Sequence, residues 1–211
     1  MEIQQVSDWA RANNLRLNME KSCEIILSRR GTCPVLPPIV PNLRRVDELK
    51  LLGVTFDHNL SFHRHIECMV AKGAQSLFGL NVLKTHGLRH PHLSRVTRSS
   101  LHNRLLYASP AWLGFISEGD RHRLFALGRK AVRWGLYRGE DITMEGVSLQ
   151  SDKNLFRSIT KNHDHVLRCL LPPVKPRTHN LRVRPHPFKL TAMSSWAKRN
   201  FINRMLFKES Y

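Results

Sequence analysis

Near residue 60 the hydrophobic pattern changes period, and this change constrains the fold more than any other feature of the chain. Downstream, Ile66, Met69, Val70, Gly73, Ala74, Leu77 and Leu80 recur at spacings of three and four, which place them on one face of an α-helix. Upstream, short apolar runs are separated by Asn, Pro and Gly and read as extended. The expected fold class is therefore α+β. A small β-hairpin-rich part spans residues 1–60, a mainly helical bundle spans 61–171, and a basic, Pro-interrupted tail with a short terminal helix spans 172–211.

Within the first part, Ile3, Val6, Trp9 and Ala10 share one face of a short helix that stops at Asn13-Asn14, residues suited to a left-handed cap. Leu15–Asn18 and Cys23–Leu27 read as a hairpin turning over Asn18–Lys21. The prolines from Pro34 to Pro41 exclude regular structure. Leu43–Val46 and Glu48–Phe56 then read as a second pair of strands, with Leu52 and Val54 as core residues. Gly53 inside an apolar strand points to a bulge, a turn or a close backbone approach. Beyond it, Ser61 is the expected N-cap of the first long helix. Further helices are predicted over His92–Tyr107, Gly119–Tyr137, Leu149–Leu171 and Ser194–Phe207, with a basic linker over 174–187.

Charge points to a partner. The 34 Lys and Arg against 16 Asp and Glu leave a net charge of +18, the electrostatic footprint of a protein that meets a polyanion. No acidic residue occurs between Glu67 and Glu118, or between Asp164 and Glu209. In the helix over 92–107, Arg95, Arg98 and His102 fall on one face opposite Leu93, Val96, Leu101 and Leu105, as in a helix laid along a phosphate backbone. The same spacing also describes a solvated helix face. Lys72, Arg129, Lys130 and Arg133 complete the candidate nucleic-acid contacts. Trp112, Trp134 and Tyr137 either stack on bases or fill the core.

Other chemistry finds little support. Cys23, Cys33, Cys68 and Cys169 form no C-x-x-C pair and read as buried thiols of an intracellular protein. The pairs His63/His65, His90/His92 and His163/His165 lack the converging ligands of a zinc site, so no metal or other cofactor is expected. No Gly-rich phosphate cradle or hydrolase elbow occurs, and no small-molecule substrate is implied. No stretch reaches the roughly 20 apolar residues that span a bilayer, and the start has no signal-peptide pattern.

Several ordered strings carry a family likeness. Trp9 with Asn14-Leu15-Arg16-Leu17-Asn18 and Lys21-Ser22 resembles motif D of reverse transcriptases from non-LTR (LINE-type) retrotransposons. Leu49-Lys50-Leu51-Leu52-Gly53-Val54-Thr55-Phe56-Asp57, followed by Leu60-Ser61-Phe62 and His65-Ile66, resembles motif E, the primer-grip hairpin. Leu105 to Trp112 and Lys130 to Arg133 are similar to thumb strings. Leu181-Arg182 and Asn200 to Arg204 resemble the tails of tick-transposon-like members.

The resemblance implies an RNA-directed DNA polymerase ancestry, with RNA or an RNA–DNA hybrid as partner. It assigns Lys21 to the motif D lysine that assists the leaving pyrophosphate, and Leu52, Gly53 and Val54 to the grip on the primer terminus. It also implies two metal ions on palm aspartates, including an adjacent Asp-Asp pair, and this sequence contains no Asp-Asp. The expectation is a remnant of late palm, primer grip and thumb that begins downstream of the catalytic centre and is inactive alone. Magnesium is expected only in a complete polymerase. Three alternatives stay open: a thumb supplied in trans to the missing polymerase part, a protein-interaction module, and a decayed fragment without selected function.

Overall fold

The computed structural model describes residues 2–28, 35–137, 143–174 and 186–208. The chain is α+β and divides into two compact units, Met1–Ser61 and Phe62–Tyr211.

The first unit opens with helix α1 (Glu2–Ala12). Asn14 takes a φ of 55°, and the Leu15 and Asn14 amides donate to the Ala10 and Arg11 carbonyls, so the left-handed stop predicted for Asn13-Asn14 is present. The predicted hairpin over 15–27 is absent. Instead β1 (Cys23–Glu24) pairs in parallel with β2 (Arg44–Arg45). The turn spends its hydrogen bonds locally: Asn18 Oδ1 accepts from the Lys21 amide at 3.1 Å and the Asn18 carbonyl from Ser22 Oγ at 2.8 Å. Arg45 supplies the competing long-range tie. Its Nε donates to Glu24 Oε1 at 2.8 Å, and Nη2 donates to the carbonyls of Pro37 and Pro38.

The predicted single strand over 48–56 is a hairpin. β3 (Glu48–Leu51) runs antiparallel to β4 (Val54–Asp57), with Leu51 opposite Val54. Leu52 and Gly53 form the two-residue turn with φ of 46° and 89°, so Gly53 makes a turn of the primed kind that matches strand twist, and not a bulge. Leu52, expected in the core, is 84% exposed for the same reason, while Val54 is half-buried. Beyond β4, Asp57 Oδ1 accepts from the amides of Asn59 and Ser61, and Ser61 is held in that loop instead of capping a helix.

The second unit is helical. α2 (His63–Thr85), whose N-cap is Phe62, buries Ile66, Gly73, Leu77 and Leu80. Met69 and Val70 are half-buried, and Ala74 of the predicted stripe is exposed. A Cβ at Gly73 would stand 2.6 Å from Leu127 Cδ1 and 3.1 Å from Leu105 Cδ2, so glycine sets how closely α2 meets its neighbours. α3 (His90–Thr97) continues through a π turn (Arg98–His102) into α4 (Asn103–Leu105), followed by α5 (Ser109–Trp112).

α6 (Glu118–Arg133) starts at Ser117, whose Oγ accepts from the Asp120 amide at 3.0 Å. It stops four residues before the predicted end, where Gly135 turns left-handed at φ 64°. α7 (Met144–Lys161) begins on Thr143, which caps the Gly146 amide, and ends at Asn162, well before the prolines expected to stop it. The last helix is shorter than predicted: a 3₁₀ turn (Ala197–Arg199) precedes α8 (Phe201–Lys208).

α8 lays Phe201, Ile202, Met205 and Leu206 against Phe156 and Ile159 of α7. The segment read as a linker is anchored at both described ends. Phe188 bridges Val174, and buried His186 meets the Leu206 carbonyl at 2.9 Å from Nε2. Residues 175–185 of that segment lie outside the described residues. Among the described residues, no helix is long and apolar enough to cross a membrane.

Candidate nucleic-acid interface

The π turn decides which side chains of the α3–α4 stretch face outward. It inserts one residue into the 3.6-residue period, so everything after it rotates by about a quarter turn or more. Arg95 and Arg98, before and at the turn, stay exposed. His102, projected onto the same face by an unbroken helix, goes inside with Leu101 and Leu105 and is 2% exposed. Its ring lies 4.7 Å from that of Tyr137. Burial, with the Arg98 charge adding to it, lowers the His102 pKa to about 4. The imidazole is therefore neutral near pH 7 and adds no charge for a phosphate, contrary to the expectation from spacing.

Two cations meet at the end of α6, and a third acts on Tyr137 just beyond it. Lys84, in the last turn of α2, donates from Nζ to the Trp134 carbonyl at 2.5 Å and so satisfies a helix-end acceptor. Lys130 Nζ sits 4.6 Å from the Trp134 ring centroid. Arg98 acts electrostatically on both His102 and Tyr137, three residues beyond Trp134. Burial raises the Tyr137 phenol, and Arg98 opposes the rise. The acids of α6 lie at its other end, where Glu118 and Asp120 occupy the first turn, so charge is segregated along the helix. The carbonyl dipole at the C-terminus is offset by Lys84, Lys130 and Arg133.

The other predicted contacts divide. Lys72 and Arg133 are exposed on α2 and α6. Arg129 is committed elsewhere, with Nη1 3.6 Å from Glu145 and Nη2 bonded to the His122 carbonyl. Lys21, Leu52 and Gly53 are exposed turn residues of the first unit. Trp112 and Tyr137 are core residues, Trp112 with its Nε1 bonded to the Tyr107 carbonyl and its ring edge-on to His65. Trp134 is half-buried under Lys130. Sequence reasoning missed Lys84; the signal was its place in the acid-free stretch after Glu67, and what hid it was that its partner lies 50 residues on.

At the opposite end of α2, His63 Nδ1 lies 3.0 Å from Asp120 Oδ2, whose carboxylate also accepts from Ser117 Oγ and lies 3.4 Å from Arg123. The hydrogen bond and charge of Asp120 raise the His63 pKa. For Asp120, burial pushes upward, but the bonds from His63 and Ser117 and the nearby charges win and hold it below the ordinary carboxylate range. This is a clamp between helix ends, and no three His, Cys, Asp or Glu converge as metal ligands among the described residues. The thiols also depart from expectation: Cys68 and Cys169 are exposed and Cys23 is half-buried, because Cys68 falls on the outer face of α2 and Cys169 on a surface turn. Cys33 lies outside the described residues.

No family model, curated protein or solved structure matches this chain.

Proposed function

We propose that the second unit binds nucleic acid through backbone phosphates without reading base sequence, as a thumb-like helical region of a non-LTR reverse transcriptase would. The observation that carries this reading is the convergence of Lys84 and Lys130 on Trp134, with exposed Arg98 acting on Tyr137 three residues on and the acids of α6 at its far end. A polyanion is the partner that such a cluster attracts, and the resemblance favours RNA or an RNA–DNA hybrid over other polyanions. Without an Asp-Asp pair, this chain transfers no nucleotide alone.

The test is fluorescence anisotropy of a labelled RNA–DNA hybrid over a salt series. Affinity falls steeply with salt, and Arg98→Gln/Lys130→Gln lowers the slope of log K against log salt by about 2, one for each lost phosphate contact. Arg129→Gln, which removes a cation already paired with Glu145, changes the slope less. Absence of binding at low salt, or equal slopes in all three proteins, rejects the reading.

A further inference from the structure

Trp196 is 54% exposed, yet it is not on a loose segment. It begins the turn Ala197–Arg199, which is tied by the Ala197 amide to Ser194 Oγ, by Asn203 Nδ2 to the Ala197 carbonyl, and by the Arg199 amide to the Trp196 carbonyl. Behind it the aromatic contact continues inward. The Trp196 ring centroid is 5.7 Å from Phe115, and Phe115 is 5.9 Å from buried Phe62. Gly114 makes this approach possible, because a Cβ there would collide with the Arg199 carbonyl oxygen.

Two cations follow Trp196 closely in the chain. Lys198 and Arg199 are both exposed, with Lys198 Nζ 5.1 Å from the Phe207 ring centroid. A large indole held from behind, open to solvent and followed by two exposed cations, matches a ligand that joins a flat π surface to an anionic backbone. A duplex hides its base faces in the stack and offers only phosphates. An unpaired nucleotide offers both.

We propose that Trp196 is a stacking platform for an unpaired base of single-stranded RNA or DNA, with Lys198 and Arg199 meeting the adjoining phosphates. This rests on the nucleic-acid reading above and adds a second contact, at the other end of α2 from the Lys84 cluster. By the helix rise of 1.5 Å per residue, Phe62 and Lys84 are about 33 Å apart. A bound molecule with a single-stranded extension reaches both.

The test compares three labelled probes, an RNA–DNA hybrid, the same hybrid with a single-stranded overhang, and a single-stranded oligonucleotide, against the full chain and its Trp196→Ala and Trp196→Phe variants. Trp196→Ala is expected to weaken single-strand binding by about 5- to 150-fold, the range for one lost base stack. It leaves blunt-hybrid binding within twofold and the salt slope unchanged, since stacking releases no counterions. Trp196→Phe restores most of the loss. An unchanged single-strand affinity in Trp196→Ala, or an equal loss on the blunt hybrid, overturns the platform while the phosphate reading stands. Failure of the unaltered chain to bind any probe rejects both. Unchanged far-ultraviolet circular dichroism confirms that Trp196→Ala folds.

Discussion

The imidazole of His102 packs 4.7 Å from the ring of Tyr137, and neither His102 Nδ1 nor Tyr137 OH finds a hydrogen-bond partner among the described residues. The buried imidazole, whose protonation is opposed by burial and by Arg98, makes this contact acid-sensitive. The folded-state pKa of about 4 lies below the ordinary 6.5, so the unfolded chain binds the extra proton first as pH falls. Stability from His102 is thus complete above pH 6.5 and declines toward pH 4, by about 3 kcal/mol in total. His102→Phe keeps the ring, removes the orphaned nitrogen and flattens this decline, which urea unfolding at pH 7, 6 and 5 measures.

The His63–Asp120 clamp has the opposite dependence on its histidine. The raised His63 pKa means that its contribution is full below 6.5 and is lost as pH rises through the folded value. Asp120, held low, contributes above its unfolded value near 3.8 and loses that contribution as pH falls through the folded value. Both act together between about pH 4 and 6.5. His63→Gln is expected to lower the melting temperature at pH 6 and to differ little from the unaltered chain at pH 8.5. Because the His63 side chain is 56% exposed, solvent screens the effect, and added salt shrinks the difference.

Gly114→Ala is expected to be among the most damaging small substitutions. A methyl group there meets the Arg199 carbonyl oxygen and stands 3.0 Å from an Arg204 guanidinium nitrogen, and a backbone oxygen cannot swing aside. Overpacking of this kind costs about 3 kcal/mol, readable as a shift of the urea midpoint without a change in its slope. Gly79→Ala serves as the control, since a Cβ there meets nothing within 4 Å, and it gains up to about 1 kcal/mol from helix propensity.

Leu52 is expected to tolerate, and to improve with, replacement. Its φ of 46° is left-handed and 84% of it is exposed, so Leu52→Asn gives up little packing and gains a residue suited to the turn. The gain is about 1 kcal/mol, seen as slower amide exchange in β3 and β4.

The patterns that were legible in the sequence are local ones. The stripe through Ile66, Leu77 and Leu80, the Asn14 stop of α1 and the change of period near residue 60 all follow from spacing and turn chemistry. What was not legible needed geometry that spacing assumes away. An unbroken helix puts His102 beside Arg98, and one inserted residue in the π turn buries it. Pairing of Cys23 with Arg44, and of Lys84 with the Trp134 carbonyl, joins residues far apart in sequence whose partners no local pattern names. Trp196 falls in the single helix expected over Ser194–Phe207, yet the chain makes a separate turn before α8 and leaves Trp196 more than half exposed, while Ile202, Met205 and Leu206 are buried.

The docking of α8 on α7 has a consequence for the chain while it is being made. Phe156 and Ile159 are sealed by Met205 and Leu206, and Phe156 precedes Met205 by 205 − 156 = 49 residues. At synthesis rates of about 5–20 residues per second, the apolar side of α7 waits roughly 2–10 s for its cover. During that interval the nascent chain carries a sticky surface that stays incompletely covered until α8 arrives, so premature termination after α7 yields a product destined for chaperones or proteases.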